Sequence, residues 1–257
     1  MTPPALVQWV CATGQAEDAR HPVWSRMLSG QEQVRASRFV RAEQADQYRT
    51  SHVGLRRWLG ERLGVAPAAL CFGQAGQSGK PVLLPCAGHF SFSHAGPAWA
   101  AALRPASSGP VGIDIECLDA FTAADPGFAR LVLSPAERLA WRTLDAACAA
   151  CAARALARVW TRKEAVLKAI GCGLRRAMSS LDVGWAGVPR TLAAPDLDGV
   201  PCTWRVQDLH GLAAGLVGAL AWQVAEHSIA VAAARPFPAP ANPGPRLPME
   251  CLAHDTL

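Results

Sequence analysis

Asp114 and Glu116 stand two residues apart in the stretch Val111-Gly112-Ile113-Asp114-Ile115-Glu116, where apolar residues alternate with others. A period of two marks a strand with one apolar face. It sends both carboxylates from the opposite face, about 7 Å apart at the backbone. Such a pair can chelate a hard cation, which takes oxygen ligands, or it can be a solvated face with no chemistry. Gly112 shares that face and leaves room for something to approach.

A second reactive pattern lies some fifty residues on. Trp160, Glu164 and Lys168 are spaced i, i+4, i+8 and share one side of a helix. Val159, Val166, Leu167 and Ile170 pack elsewhere. Taken alone, the pattern also fits a tryptophan at the core margin with an ordinary surface Glu–Lys pair. Three other motifs exclude more than they assign. Ser93 and His94, in the alternating run Phe90-Ser91-Phe92-Ser93-His94, point to opposite faces of a strand and cannot act as nucleophile and base. No G-x-S-x-G elbow occurs, so a serine hydrolase is excluded. A lone histidine such as His94 is more often a structural residue than a ligand. Phe72 to Pro81 is a glycine-rich turn, but the spacing from Gly73 to Gly79 is one residue too long for a P-loop. Pro81 also stands where a hydroxyl should meet magnesium, so the turn presents one lysine, Lys80. Cys148 and Cys151 fit C-x-x-C among alanines with no second pair at metal spacing, which argues against metal or redox use.

The elements that must position these groups are legible from pattern. Residues 5–11 read as a strand. Gln31 to Leu63 reads as one or two amphipathic helices with Val34, Phe39, Leu55, Trp58, Leu59 and Leu63 inward. Their other face carries Arg35, Arg38, Arg41, Arg49, Arg56 and Arg57, which either bind phosphate or are solvated. Ala98 to Leu103 is a small-residue strand, and the turn Ala106 to Pro110 divides the chain in two. Ser134-Pro135-Ala136-Glu137 is a capping-box helix start. The alanine-rich residues 146–158 lead into a helix ending at Gly171 or Gly173. Strands are expected around Trp185, over Thr203 to Leu209, Leu216 to Val224 and Ser228 to Arg235. The expected division is 1–108, 109–235 and a proline-rich, extended tail 236–257.

Composition bounds the rest. Of 257 residues, 51% are hydrophobic and 18% charged, which excludes a disordered chain. A net charge of +5 suits an anionic ligand or partner but is too diffuse for nucleic acid. Nine irregularly spaced cysteines read as reduced thiols of a cytoplasmic protein. Met1 to Gln15 lacks a basic n-region, so no secretory signal is visible. The apolar run Gly211 to Ala225 is short of the roughly 20 residues that span a bilayer, so no membrane is expected.

Taken in order, Gly79-Lys80-Pro81, Phe90-x-x-Ser93-His94, Gly112-Ile-Asp114-Ile-Glu116 and Trp160-x-x-Lys163-Glu164-Ala-x-x-Lys168-x-x-Gly171-x-Gly173 resemble the surfactin-type 4′-phosphopantetheinyl transferases. With the arginine-bearing helix near 35–56, the likeness reaches to about residue 235. It implies an α+β fold of two similar α/β halves in pseudo-twofold arrangement, a monomer, and a coenzyme A site between the halves. The implied reaction moves 4′-phosphopantetheine from coenzyme A to a serine of an apo acyl or peptidyl carrier protein, releasing adenosine 3′,5′-bisphosphate. Asp114, Glu116 and Glu164 would hold Mg2+. Glu164 would act as base, directly or through a water, and Lys168 would hold a pyrophosphate oxygen. Lys80, Ser93 and His94 match positions that grip the nucleotide and its 3′-phosphate. Arg35 and Arg49 match helix positions with the same task, although the spacing from Phe39 to Arg49 is longer here. Ser91 stands where some relatives have asparagine. A non-catalytic coenzyme A or carrier-protein binder would be expected to lose one of the acids, and all are present. A magnesium-dependent phosphodiesterase would explain the acids but not Lys80 or the Trp160–Leu174 pattern.

Overall fold

The computed structural model describes residues 7–14, 21–75, 79–122 and 126–224. The proline-rich tail 236–257 and the expected strand Ser228 to Arg235 lie outside them.

The first half is organised on a helix and a three-stranded sheet. After a short helix α1 (Pro22–Ser25), Ser29 caps α2 (Gly30–Ser37) through a capping box with Glu32. The long helix α3 (Ala42–Leu63) ends on Gly64, whose φ of 67° is the left-handed conformation that stops a helix cheaply at glycine. Strands β1 (Gln8–Thr13), β4 (His89–Ala95) and β5 (Ala98–Arg104) form an antiparallel sheet in the order β1-β5-β4. The hairpin β2 (Cys71–Ala75) and β3 (Lys80–Leu84) stands apart from it.

The second half repeats the plan. Strands β6 (Val111–Cys117), β7 (Arg190–Pro195), β8 (Pro201–Asp208) and β9 (Leu216–Gln223) pair in the order β6-β9-β8-β7, all antiparallel. Helices α4 (Pro126–Val132) and α5 (Pro135–Ala147) precede α6 (Ala149–Ile170), which is 22 residues long like α3 and also ends on a left-handed glycine, Gly171. The fold is therefore the mixed α/β two-half arrangement that the motifs imply.

Strand alternation explains how the halves stack. On β5, Trp99, Ala101 and Leu103 pack with Leu55, Trp58 and Leu59 of α3, while Ala98, Ala100 and Ala102 turn to the second sheet. There they meet Val111, Ile113 and Ile115 of β6 with Leu220 and Trp222 of β9. The other face of the second sheet, through Trp204, Val206, Ala219 and Ala221, receives Val159, Val166, Leu167 and Ile170 of α6. The layers run helix, sheet, sheet, helix. Complete burial of side chains such as Ile113, Leu59 and Trp204 contributes roughly 1.5–3 kcal/mol each for residues of this kind.

Several expectations are corrected. Of the expected first strand 5–11, residues 5 and 6 lie outside the described residues, and the strand itself runs on to Thr13 as Gln8–Thr13. Val34 and Phe39 are exposed, because the chain breaks between α2 and α3 and a single helical period does not run through it. Arg56 is buried, not on the solvated face. Its guanidinium pairs with Glu32 at 2.8 Å and donates to the carbonyls of Pro67 and Leu70. Trp185 lies in a loop, and the missed strand is Arg190–Pro195. Cys148 and Cys151 are joined as a disulfide at the start of α6, against the expectation of nine reduced thiols.

Candidate active site between the two halves

The face of β6 that carries Gly112, Asp114 and Glu116 looks toward α6, and what approaches Gly112 is the helix backbone itself. A Cβ built on Gly112 would sit 1.9 Å from the carbonyl oxygen of Ala165 and 2.5 Å from the amide of Ala169. Only glycine admits this approach. It brings the stripe Trp160, Glu164 and Lys168 against the strand's two acids. The neighbours in the same motif face away and serve the fold. Arg162, wholly buried, pairs with Asp208 at 2.6 Å and donates to the carbonyls of Val183, Gly184 and Val188. Lys163, also wholly buried, pairs with Glu137 and donates to the carbonyl of Val132.

Asp114 is 3% exposed. Its Oδ1 accepts from Lys168 Nζ at 2.6 Å and from Ser93 Oγ at 2.8 Å, while Lys168 also reaches Ser93 Oγ at 3.0 Å. Burial raises the Asp114 carboxyl above its ordinary range, against the opposing pull of Lys168 and Ser93. Glu116 Oε1 accepts from the Trp160 indole at 3.2 Å, and the Trp160 ring packs 5.3 Å from Phe128. Burial, then the Asp114 charge, lifts the Glu116 carboxyl. Glu164 is raised for the same reasons: burial first, then Asp114, then Glu116, with Lys168 opposing.

These groups line one side of a cleft of about 650 Å³. The other side belongs to the first half: Arg35, Phe39, Gln44, Gln47, Tyr48, His52, Phe92, Ser93 and His94. Of the nine residues singled out by motif, seven thus meet here: Arg35, Ser93, His94, Asp114, Glu116, Glu164 and Lys168. Arg49 does not line the cleft and pairs with Asp46 at 3.1 Å. Lys80 does not line it either. Its ammonium donates to the carbonyls of Val111 at 3.3 Å and Ala169 at 3.2 Å, joining the hairpin to β6 and to the end of α6. Burial depresses its pKa to about 8.

Four cleft residues escape the motif reading. Gln44, Gln47, Tyr48 and His52 lie on α3 at spacings of three and four, so they form one stripe. The signal was available: Tyr48 is the single tyrosine of the chain, with a histidine one turn on. The two rings stack at 3.8 Å, and Arg35 lies over Tyr48 at 5.6 Å. His52 Nδ1 contacts the Tyr48 carbonyl at 2.9 Å, and burial drives its pKa down to about 4. At neutral pH it is therefore an uncharged ring. Burial, Lys168 and Arg35 lower His94 in the same sense, against Asp114.

The donors in the cleft are carboxylate oxygens, the kind that a hard cation takes. Among the described residues, no group of three or more His, Cys, Asp or Glu side chains is assembled to hold an ion by itself. Asp114 Oδ2, however, is buried with no hydrogen-bond partner, and two further carboxylates share its cleft. Such oxygens are compatible with a hard cation such as magnesium, which completes its shell with water and phosphate oxygens. They do not fit a caged transition metal.

Residues 110–232, just under half of the chain, match the family model of the 4′-phosphopantetheinyl transferase superfamily. The matched span runs from the start of β6 through β9 and contains Asp114, Glu116, Glu164 and Lys168. No curated protein matches the chain. No helix among the described residues is long and apolar enough to cross a membrane.

Proposed function

We propose that the protein is a surfactin-type 4′-phosphopantetheinyl transferase, which moves the phosphopantetheine of coenzyme A onto a serine of an apo acyl or peptidyl carrier protein with magnesium. The observation that carries the reading is the cleft itself. The acids and lysine of the superfamily domain face Arg35, Ser93 and His94 of the other half across one cavity large enough for a nucleotide-sized ligand.

Coenzyme A is polyanionic, so Arg35 and Lys168 suit its phosphates, and the Tyr48–His52 pair offers a flat face to the base. The carrier serine would attack the phosphorus that bears the pantetheine. Its oxygen forms the new P–O bond, the bond to the bridging oxygen breaks, and adenosine 3′,5′-bisphosphate leaves with that electron pair. The serine is a poor nucleophile while protonated. Glu164, in the cleft beside Asp114, Glu116 and Lys168, takes the proton, directly or through a water. Asp114, Glu116 and Glu164 would hold magnesium, which when bound supplies charge neutralisation for the pyrophosphate oxygens.

Incubation with coenzyme A, magnesium and an apo carrier protein, followed by intact mass, tests the proposal. A mass gain of one phosphopantetheine on the carrier is expected. Binding of coenzyme A without any gain over acyl, polyketide and peptidyl carriers would instead make this a non-catalytic binder.

A further inference from the structure

Among the described residues, β6 is the last strand of its sheet and has β9 as its one ladder partner. The outer side of such a strand presents N–H groups that need partners when buried. Ile113 and Ile115 are wholly buried, and side-chain hydroxyls rather than carbonyls meet their amides. Ile113 N–H donates to Ser91 Oγ at 3.0 Å, and Ile115 N–H donates to Ser93 Oγ at 3.4 Å. The serines stand two apart on β4, itself the last strand of the first sheet among the described residues. The amides stand two apart on β6. Two equal rungs therefore cross the seam between the halves, and Asp114 lies between them.

Ser93 belongs to the cleft. Ser91 does not line it and is 5% exposed. We propose that Ser91 is a positioning residue: by accepting the Ile113 amide it fixes the height of β6 against β4. It thereby sets where the Asp114 carboxylate stands relative to Ser93, His94 and Arg35. The proposal rests on the reading above, in which those groups act together on one ligand. Alanine at 91 leaves the Ile113 amide with no acceptor in the seam, and the strands relieve this by sliding or by parting to admit water. A displacement of about 1 Å among positioned groups can lower a rate by as much as about 10²-fold.

The full chain is compared as wild type, Ser91→Ala, Ser91→Thr, Ser91→Asn and Val10→Ala. Val10 is buried under α3, away from the seam, and its truncation supplies a destabilised control. Amide hydrogen exchange read by mass spectrometry and transfer kinetics are measured at a temperature where all variants are folded. In Ser91→Ala, exchange across residues 111–117 should rise about tenfold with α3 unchanged. Its kcat should fall about tenfold with KM for coenzyme A within about twofold. Threonine or asparagine, each carrying an oxygen acceptor, should restore both readouts, and Val10→Ala should keep its kcat. Unchanged exchange over 111–117 overturns the proposal. So does rescue by neither variant, or an equal loss of kcat in Val10→Ala. If the wild type transfers nothing to any carrier, the functional reading fails separately, and the exchange data alone decide the role of Ser91.

Discussion

The Lys168 ammonium bridges the two halves, 2.6 Å from Asp114 Oδ1 on β6 and 3.0 Å from Ser93 Oγ on β4. Asp114 is thus bound on one oxygen, while its other oxygen is buried with no partner. This differs from an acid that only decorates a strand face. Asp114→Asn keeps the shape and removes the charge that Lys168 and a cation would share. Transfer should fall about 10²–10³-fold. Stability should fall by only about 1–2 kcal/mol, because the Lys168 side chain is 29% exposed and can turn to water. Turnover and urea unfolding measured side by side check this. A normal rate with magnesium as the sole added metal would remove Asp114 from the site.

Gly112→Ala offers a purely steric test. The added methyl meets helix backbone, which cannot rotate away as a side chain can. Either α6 lifts from β6 or the strand shifts, at about 3 kcal/mol or more. A lower melting temperature together with lost transfer is expected. A stable, fully active variant would mean that the helix does not lie on the strand in this way.

Glu164→Gln separates base from ornament. If Glu164 were a surface residue, the amide would cost a few tenths of a kcal/mol in stability and nothing in rate. As the base, its loss should lower kcat roughly 10²–10⁴-fold. Coenzyme A affinity by calorimetry should change far less, since Arg35, His94 and Lys168 remain. Normal transfer by this variant would return the proton to some other acceptor.

His52 gives the protein a pH signature. Its folded pKa of about 4 lies below the 6.5 of an exposed ring, so between these values the unfolded chain binds the extra proton. Stability is full above pH 6.5 and is lost as pH falls toward 4. The loss attributable to His52 should reach about 3 kcal/mol. His52→Gln should flatten that portion of the stability–pH curve relative to wild type. Parallel curves for the two proteins would show that His52 is not held uncharged.

Much of the site was legible because its chemistry is local. Asp114 with Glu116, and Trp160 with Glu164 and Lys168, share faces by strand and helix periods that a sequence displays directly. The packing glycine at 112 was legible as space, though not as space for a helix. The stripe Gln44, Gln47, Tyr48, His52 was not, because α3 is lined by polar and apolar residues on several sides and only its place against β4 shows which face matters. Val34 and Phe39 fall on the apolar side only if one helical period runs on across the break between α2 and α3, and in the fold it does not. Arg56 misled for a different reason: nothing in its neighbours tells of Glu32, twenty-four residues earlier, which makes its burial possible. Lys80 reads as a presented lysine from its turn, yet its carbonyl acceptors, Val111 and Ala169, lie in the other half.

The serine rungs also bear on whether the halves can live apart. The part that matches the superfamily, cut free at residue 110, would lose the hydroxyls covering the Ile113 and Ile115 amides, and the alanine face covering Val111, Ile113 and Ile115. What remains is a sheet with an open, sticky border and a greasy underside. Expressed alone, such a fragment should sediment as oligomers, one copy lending its border to the next. In the intact chain the alanine face of β5 and the hydroxyls of β4 act as a built-in partner for that border.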